Sequence, residues 1–167
     1  MRIISGKNRG LKLTEIGIGD VSNHLRPTSD RVKESLFNLL ANGVPTLSFE
    51  NIRVLDLFSG SGALGLEALS RGASWVTFFE KNKISLELLK KNISICQANG
   101  STEVKQRDAT KIGRNTGQKF DLIFLDPPYG SELGEKALLN VLKDGWLSEN
   151  AIIVFEHNKK IFLKDFT

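Results

Sequence analysis

The chain has one cysteine, one methionine, one tyrosine, two histidines and four prolines among its 167 residues. The single thiol, Cys96, excludes an internal disulfide and reads as a buried packing residue, so the fold must hold by non-covalent contacts. Soft metal ligands are as scarce. Cys96, His24 and His157 lie too far apart for a zinc-ligand spacing, so no metal site is expected. No apolar run approaches the roughly 18 residues needed to cross a bilayer, and no secretory hydrophobic stretch follows Met1. The expectation is a soluble, cytoplasmic protein with no membrane partner. Repeats and low-complexity tracts are missing as well, and 40% hydrophobic residues over this length suit one self-sufficient core.

Acids are missing where bases collect. The net charge is +4, and the first 12 residues hold Arg2, Lys7, Arg9 and Lys12 without one carboxylate. Residues 1–24 place short β-prone runs, Arg2-Ile3-Ile4 and Leu11-Lys12-Leu13, among glycines at 6, 10, 17 and 19. This pattern predicts a basic β-hairpin and loop, an appendage too small for a core of its own, attached to a larger unit over 25–167. Such a hairpin can track a phosphate backbone, or it can be a solvated surface element; composition leaves both open.

From residue 28 onward the pattern is regular. Thr28 or Ser29 can cap a helix running to about Asn42, with Asp30 in its first turn and Val32, Leu36, Leu39 and Leu40 on one face. Arg31 and Lys33 on that helix could reach phosphate or form its wet face. Apolar and helical runs then alternate: strand 52–57, helix 62–72, strand 75–80, helix 82–97, strand 103–107, strand 120–126, helix 132–143 and strand 151–156. Alternation of this kind predicts an α/β fold, a mostly parallel Rossmann-like sheet with helices on both faces. Ligands of such sheets sit beyond the carboxyl ends of the strands. Asp56, Glu80, Asp108 and Asp126 fall at four of those ends, and buried carboxylates without a partner are costly enough that something should engage them.

Between the first strand and the next helix lies Asp56-Leu57-Phe58-Ser59-Gly60-Ser61-Gly62-Ala63-Leu64-Gly65. Gly60, Gly62 and Gly65 satisfy G-x-G-x-x-G, and Glu80 follows Gly60 by 20 residues, so the dinucleotide fingerprint is formally met. Asp56 discriminates, because a carboxylate beside the loop suits an ammonium and opposes a pyrophosphate. S-adenosylmethionine carries an ammonium and a sulfonium where NAD carries two phosphates. On this reading Phe58, Ser59, Gly60 and Gly62 let the backbone approach the methionine and ribose portion, with Asp56 near the amino group. Glu80 accepts the ribose hydroxyls, Asp108 takes the adenine amine and Ala109 offers a backbone N–H. Asn82 is expected to cap the next helix.

Asp126-Pro127-Pro128-Tyr129 closes the apolar run over 120–125. It can be a rigid turn ending a buried strand, or a site for methylating an exocyclic base amine. Such an amine is a poor nucleophile because its lone pair is delocalised into the ring. If the Asp126 carboxylate and the Pro127 carbonyl each accept one N–H, the lone pair is freed and aimed. Proline fixes the backbone that presents the carbonyl, and Tyr129 can stack on a flipped base; Asp126 also borders the cofactor.

Three blocks together carry a family resemblance: Arg-Pro-Thr-x-x-Arg-x-Lys-Glu-x-Leu-Phe-Asn over 26–38, Asp-Leu-Phe-Ser-Gly-Ser-Gly-Ala-Leu-Gly-Leu-Glu-Ala-Leu-Ser-Arg-Gly-Ala over 56–73, and Asp-Pro-Pro-Tyr over 126–129. With the opening Arg2-Ile3-Ile4-Ser5-Gly6 and Arg9-Gly10-Leu11-Lys12-Leu13, the chain resembles the RsmD family of bacterial 16S ribosomal RNA guanine-N2 methyltransferases over most of residues 1–156. The resemblance implies methyl transfer from S-adenosylmethionine, leaving S-adenosylhomocysteine, to N2 of the guanine conventionally numbered 966 in 16S rRNA within a small-subunit assembly intermediate. It also implies RNA contact by the hairpin bases Arg2, Lys7, Arg9 and Lys12, and closure of the cofactor site around Arg26, Pro27 and Thr28. One departure stands out. After Glu156 and His157 only residues 158–167 follow, room for a sixth strand but not for a terminal hairpin, so an open sheet edge is expected, or one covered by a second copy in a weak homodimer. Competing readings are a DNA amino-methyltransferase acting on adenine N6 or cytosine N4, a nicotinamide oxidoreductase, and a non-catalytic RNA-binding scaffold.

Overall fold

The computed structural model describes residues 1–15, 28–129 and 132–157. Its elements in chain order are α1 (Asp30–Asn42), β1 (Arg53–Leu57), α2 (Ala63–Ser70), β2 (Trp75–Phe79), α3 (Lys83–Ile95), β3 (Thr102–Lys105), β4 (Phe120–Leu125), α4 (Leu133–Lys143) and β5 (Leu147–Phe155). Five parallel strands are ordered β3-β2-β1-β4-β5. The direction of winding reverses between β1 and β4, which opens a crevice at their carboxyl ends.

Alternation along each strand divides the core in two. Val54, Val76, Phe78, Leu122 and Phe124 face α1, α2 and α3, whereas Leu55, Leu57, Phe79, Ile123 and Leu125 pack with Ala137 and Val141 of α4 and with Trp146. Both faces being covered, the strands are apolar on both sides, as the sequence leads one to expect. Ser29 caps α1 by accepting from Val32 N, and Asn82 caps α3 by accepting from Ile84 N and Ser85 N. Cys96 is buried, as anticipated.

The packed face of α1 differs from the expected one. Val32 and Leu39 are 54% and 68% exposed, while Lys33, Phe37 and Leu40 turn inward. Lys33 therefore neither reaches phosphate nor lies on the wet face. Its Nζ donates to the Arg2 carbonyl at 2.5 Å and pairs with Glu67 at 3.5 Å. Burial holds the Lys33 ammonium below its usual pKa, opposed by the Glu67 charge. Glu67, fully buried on α2, also accepts from Ile4 N at 2.8 Å, Ser5 N at 3.0 Å and Arg71 Nε at 2.9 Å.

That network explains a second difference. Of the expected hairpin and loop, residues 1–15 are described, and they pair through Ile3 N to Leu11 O and Gly10 N to Ile3 O with one antiparallel bridge, Arg2 to Lys12. They are not a loose appendage, however. Ile3 and Leu13 are buried in the main core, and Gly6 lies so close to α2 that a Cβ there would sit 1.7 Å from the Ser70 carbonyl oxygen. Apolar residues of a segment too short to form a core have joined the neighbouring one.

β5 begins at Leu147, four residues before the expected 151. Polar Ser148, Glu149 and Asn150 hide its start, but Phe120 pairs with Leu147 before the register shifts to Leu122 with Ile152, and Ser148 Oγ donates to Asp121 at 2.8 Å. Among the described residues β5 is an edge strand; the expected sixth strand over 159–166 lies outside them.

Candidate active site

The loop from β1 to α2 is a built structure. Phe58 and Gly60 have φ of 60° and 55°, and Ser59 Oγ donates to the Asp56 carbonyl at 2.6 Å. Gly62, at φ 82°, leaves no room for a side chain: a Cβ would meet Leu89 Cδ1 at 2.4 Å. Gly65 seats α2 against β2, where a Cβ would meet Phe78 Cε1 at 2.4 Å. The glycine spacing thus permits close approach of helix, sheet and loop backbone.

Asp56 is buried at the end of β1, and its Oδ2 accepts from Gly65 N at 3.1 Å. Of the contacts seen, this one ties the carboxyl to the first turn of α2. Burial raises its pKa to about 8; the Gly65 N–H opposes the shift, and the charges of Asp126 and Glu80 add to it. Glu80, beyond β2, accepts from Gly60 N at 2.8 Å with Oε2 and from Asn82 N at 2.7 Å with Oε1. It braces the glycine loop to the start of α3, and burial raises its pKa too. Asp108 caps the short 3-10 turn Ala109–Lys111: Oδ1 accepts from Thr110 N at 2.9 Å and Thr110 Oγ1 at 2.7 Å, while Oδ2 lies 3.4 Å from Lys81 Nζ. Those bonds, the Thr110 hydroxyl foremost, hold Asp108 below the usual carboxylate range. Ala109 is buried behind it.

Beyond β4, Asp126 is half-buried, Pro127 buried and Pro128 exposed. Gly134 of α4 packs so tightly that a Cβ there would lie 2.5 Å from Phe155 and 2.8 Å from Pro127, which fixes the proline against two elements. Tyr129 is 49% exposed and donates its hydroxyl to Glu156 Oε1 at 2.7 Å. The Asp126 carboxyl is within hydrogen-bonding reach of Glu156, and its pKa is raised to about 7, first by burial and then by the Glu156 charge.

The structure therefore gathers Asp56, Glu80 and Asp126 about one glycine loop at the carboxyl ends of adjacent strands. Glu156 is the functional candidate missed in the sequence reading. It is an acid following β5, the same strand-end position that flagged Asp56, Glu80, Asp108 and Asp126. Of the predicted RNA contacts, Lys7, Arg9 and Lys12 are exposed. Arg2 is exposed but pairs with Asp30, Nε to Oδ2 at 3.3 Å. Arg26, Pro27 and His24 lie outside the described residues. The hairpin borders the glycine loop, since Asn92 Nδ2 donates to both Thr14 O at 3.0 Å and Ser61 O at 2.9 Å.

Comparison with known proteins places this arrangement. Residues 1–166 match the family model described as Conserved hypothetical protein 95. The chain is 41% identical to a ribosomal RNA small subunit methyltransferase D of Haemophilus influenzae, over 95% of this chain and 79% of that protein. It is 37% identical to a putative rRNA methyltransferase, YlbH, of Bacillus subtilis, over 99% of this chain and 86% of that one. Among solved structures, a putative methyltransferase from Escherichia coli superposes with a TM-score of 0.80 at 37% identity, covering 96% of this chain and 82% of the other. The sheet order and these likenesses establish a Rossmann-like S-adenosylmethionine-dependent methyltransferase fold, and the chain belongs to the Conserved hypothetical protein 95 family, that of the RsmD methyltransferases.

Proposed function

We propose that this protein methylates the exocyclic N2 amine of a guanine in 16S rRNA, using S-adenosylmethionine and acting on a small-subunit assembly intermediate. The observation that carries the reading is the convergence of Asp56, Glu80 and Asp126 on the glycine loop, with Pro127 locked behind Asp126 and the Tyr129 ring exposed beside it. Three clustered acids oppose a pyrophosphate and favour a ligand bearing cationic groups and hydroxyls, whose positive charge lets Asp56 and Asp126 release the protons that burial holds on them. The donor set therefore fits S-adenosylmethionine, which when bound supplies a methyl on a cationic sulfur and leaves as S-adenosylhomocysteine.

Glu80 would accept from the ribose hydroxyls with the lone pairs that Gly60 and Asn82 leave open, and the backbone from Phe58 to Gly62 would hold the methionine portion. Asp56 would serve its amino group. Asp108 and the Ala109 N–H would take the adenine edge. The base stacks on Tyr129, and Asp126 and the Pro127 carbonyl each accept one amine hydrogen, with Pro128 holding the turn. Methyl transfer leaves the amine with a surplus proton, which Asp126 would accept and pass to water. Positioning and acceptor placement do the work. Lys7, Arg9 and Lys12, with Arg2 beside them, meet phosphate, and Arg26 is assigned the same role. Supplying purified protein and labelled S-adenosylmethionine to undermethylated small subunits should place label on one guanine amine; label on DNA instead, or none on RNA, overturns the reading.

A further inference from the structure

Glu156 lies where a second acceptor for the base would have to be. β4 and β5 are parallel neighbours with Leu125 paired to Phe155, and the ladder runs one step further through Glu156 N to Leu125 O at 2.9 Å. Asp126 and Glu156 thus occupy equivalent positions just beyond the sheet, and their carboxyls come within hydrogen-bonding reach of each other. Glu156 Oε1 also takes the Tyr129 hydroxyl at 2.7 Å, so one side chain touches both the acceptor and the ring assigned to the substrate.

Two carboxylates side by side repel unless donors come between them. The bases differ in what they offer there. A guanine edge presents an imino N–H beside its amine, whereas adenine and cytosine present a ring nitrogen with a lone pair beside theirs. Only guanine gives both acids a hydrogen.

We propose that Glu156 selects the base: its carboxylate accepts the imino N–H adjacent to the amine held by Asp126, while Oε1 keeps the Tyr129 hydroxyl. Glu156 is in this sense a specificity-determining residue, and the inference rests on the methyltransfer reading above. A base with the amine but a bare ring nitrogen puts a lone pair against the carboxylate and is rejected.

The test uses small subunits carrying either guanine or 2-aminopurine at the modified position; the analogue keeps the 2-amine and lacks the imino hydrogen. The unaltered protein should favour guanine in kcat/KM by on the order of 10- to 100-fold, the worth of one hydrogen bond to a charged group. Glu156→Gln preserves shape and can turn either its carbonyl or its amide N–H to the base, so the preference should fall toward unity. Glu156→Ala should lose it as well, at a lower rate on both bases. Tyr129→Phe should slow both bases together and leave the ratio intact. An unchanged ratio in Glu156→Gln or Glu156→Ala overturns base selection by Glu156. Absence of methyl transfer to either base in the unaltered protein instead defeats the underlying methyltransfer reading.

Discussion

Asp126 and Glu80 are both strand-end acids, yet their surroundings give them different work. Asp126→Ala should lower methyl transfer by on the order of 10²–10⁴-fold, the range for a placed proton acceptor, with cofactor affinity nearly unchanged by calorimetry. Glu80→Ala should show the reverse emphasis, and more sharply than a lost ribose contact alone, because Gly60 loses its brace at the same time. Protonation adds a pH dependence. With Asp126 raised to about 7 by burial and by Glu156, kcat/KM should climb from about pH 6 to pH 8 as the acceptor ionises; Glu156→Gln should move that climb to lower pH. Asp56 carries the stability side of the same argument. Folded, its carboxyl keeps a proton to about pH 8; unfolded, it releases it near the ordinary aspartate value of 3.8, so the native state binds more protons between them. Its contribution is complete below 3.8 and is lost as pH rises to about 8, so urea stability should fall over that window, and fall less in Asp56→Asn.

Elements were legible where period and punctuation agree. The run over 120–125, the cap at Ser29 and the cap at Asn82 are each local signals, and the helices and strands follow them closely. What escaped was set by neighbours. α1 shows an apolar stripe that includes Val32 and Leu39, yet it buries Lys33, because Glu67 and the Arg2 carbonyl wait beneath that residue. No pattern within α1 reports a carboxylate on α2. β5 hid its first half behind polar residues, of which Ser148 bonds Asp121 on β4, and Glu156 went unmarked because its meaning depends on lying beside Asp126. The Glu67 hub gives the corresponding test: Glu67→Ala strips acceptors from Ile4, Ser5, Arg71 and Lys33 together, and should cost about 3–5 kcal/mol in denaturant unfolding.

For the whole molecule, the hairpin's anchorage decides how its proposed RNA contact can be examined. Deleting residues 1–12 removes Ile3 from the core along with the basic residues, so a loss of binding would not be informative. Replacing exposed Lys7, Arg9 and Lys12 with glutamine keeps the anchors. The substitution should weaken RNA binding and flatten its salt dependence by about three counterions' worth, with melting temperature unchanged. Asn92 grips Thr14 of the hairpin and Ser61 of the glycine loop with one amide. A grip shared in this way makes the two ligands thermodynamic accomplices: whatever steadies one end steadies the other, and the effect must be equal in both directions. RNA should thus sharpen affinity for the methyl donor by the same factor that the donor sharpens affinity for RNA, and Asn92→Ala should lower that factor.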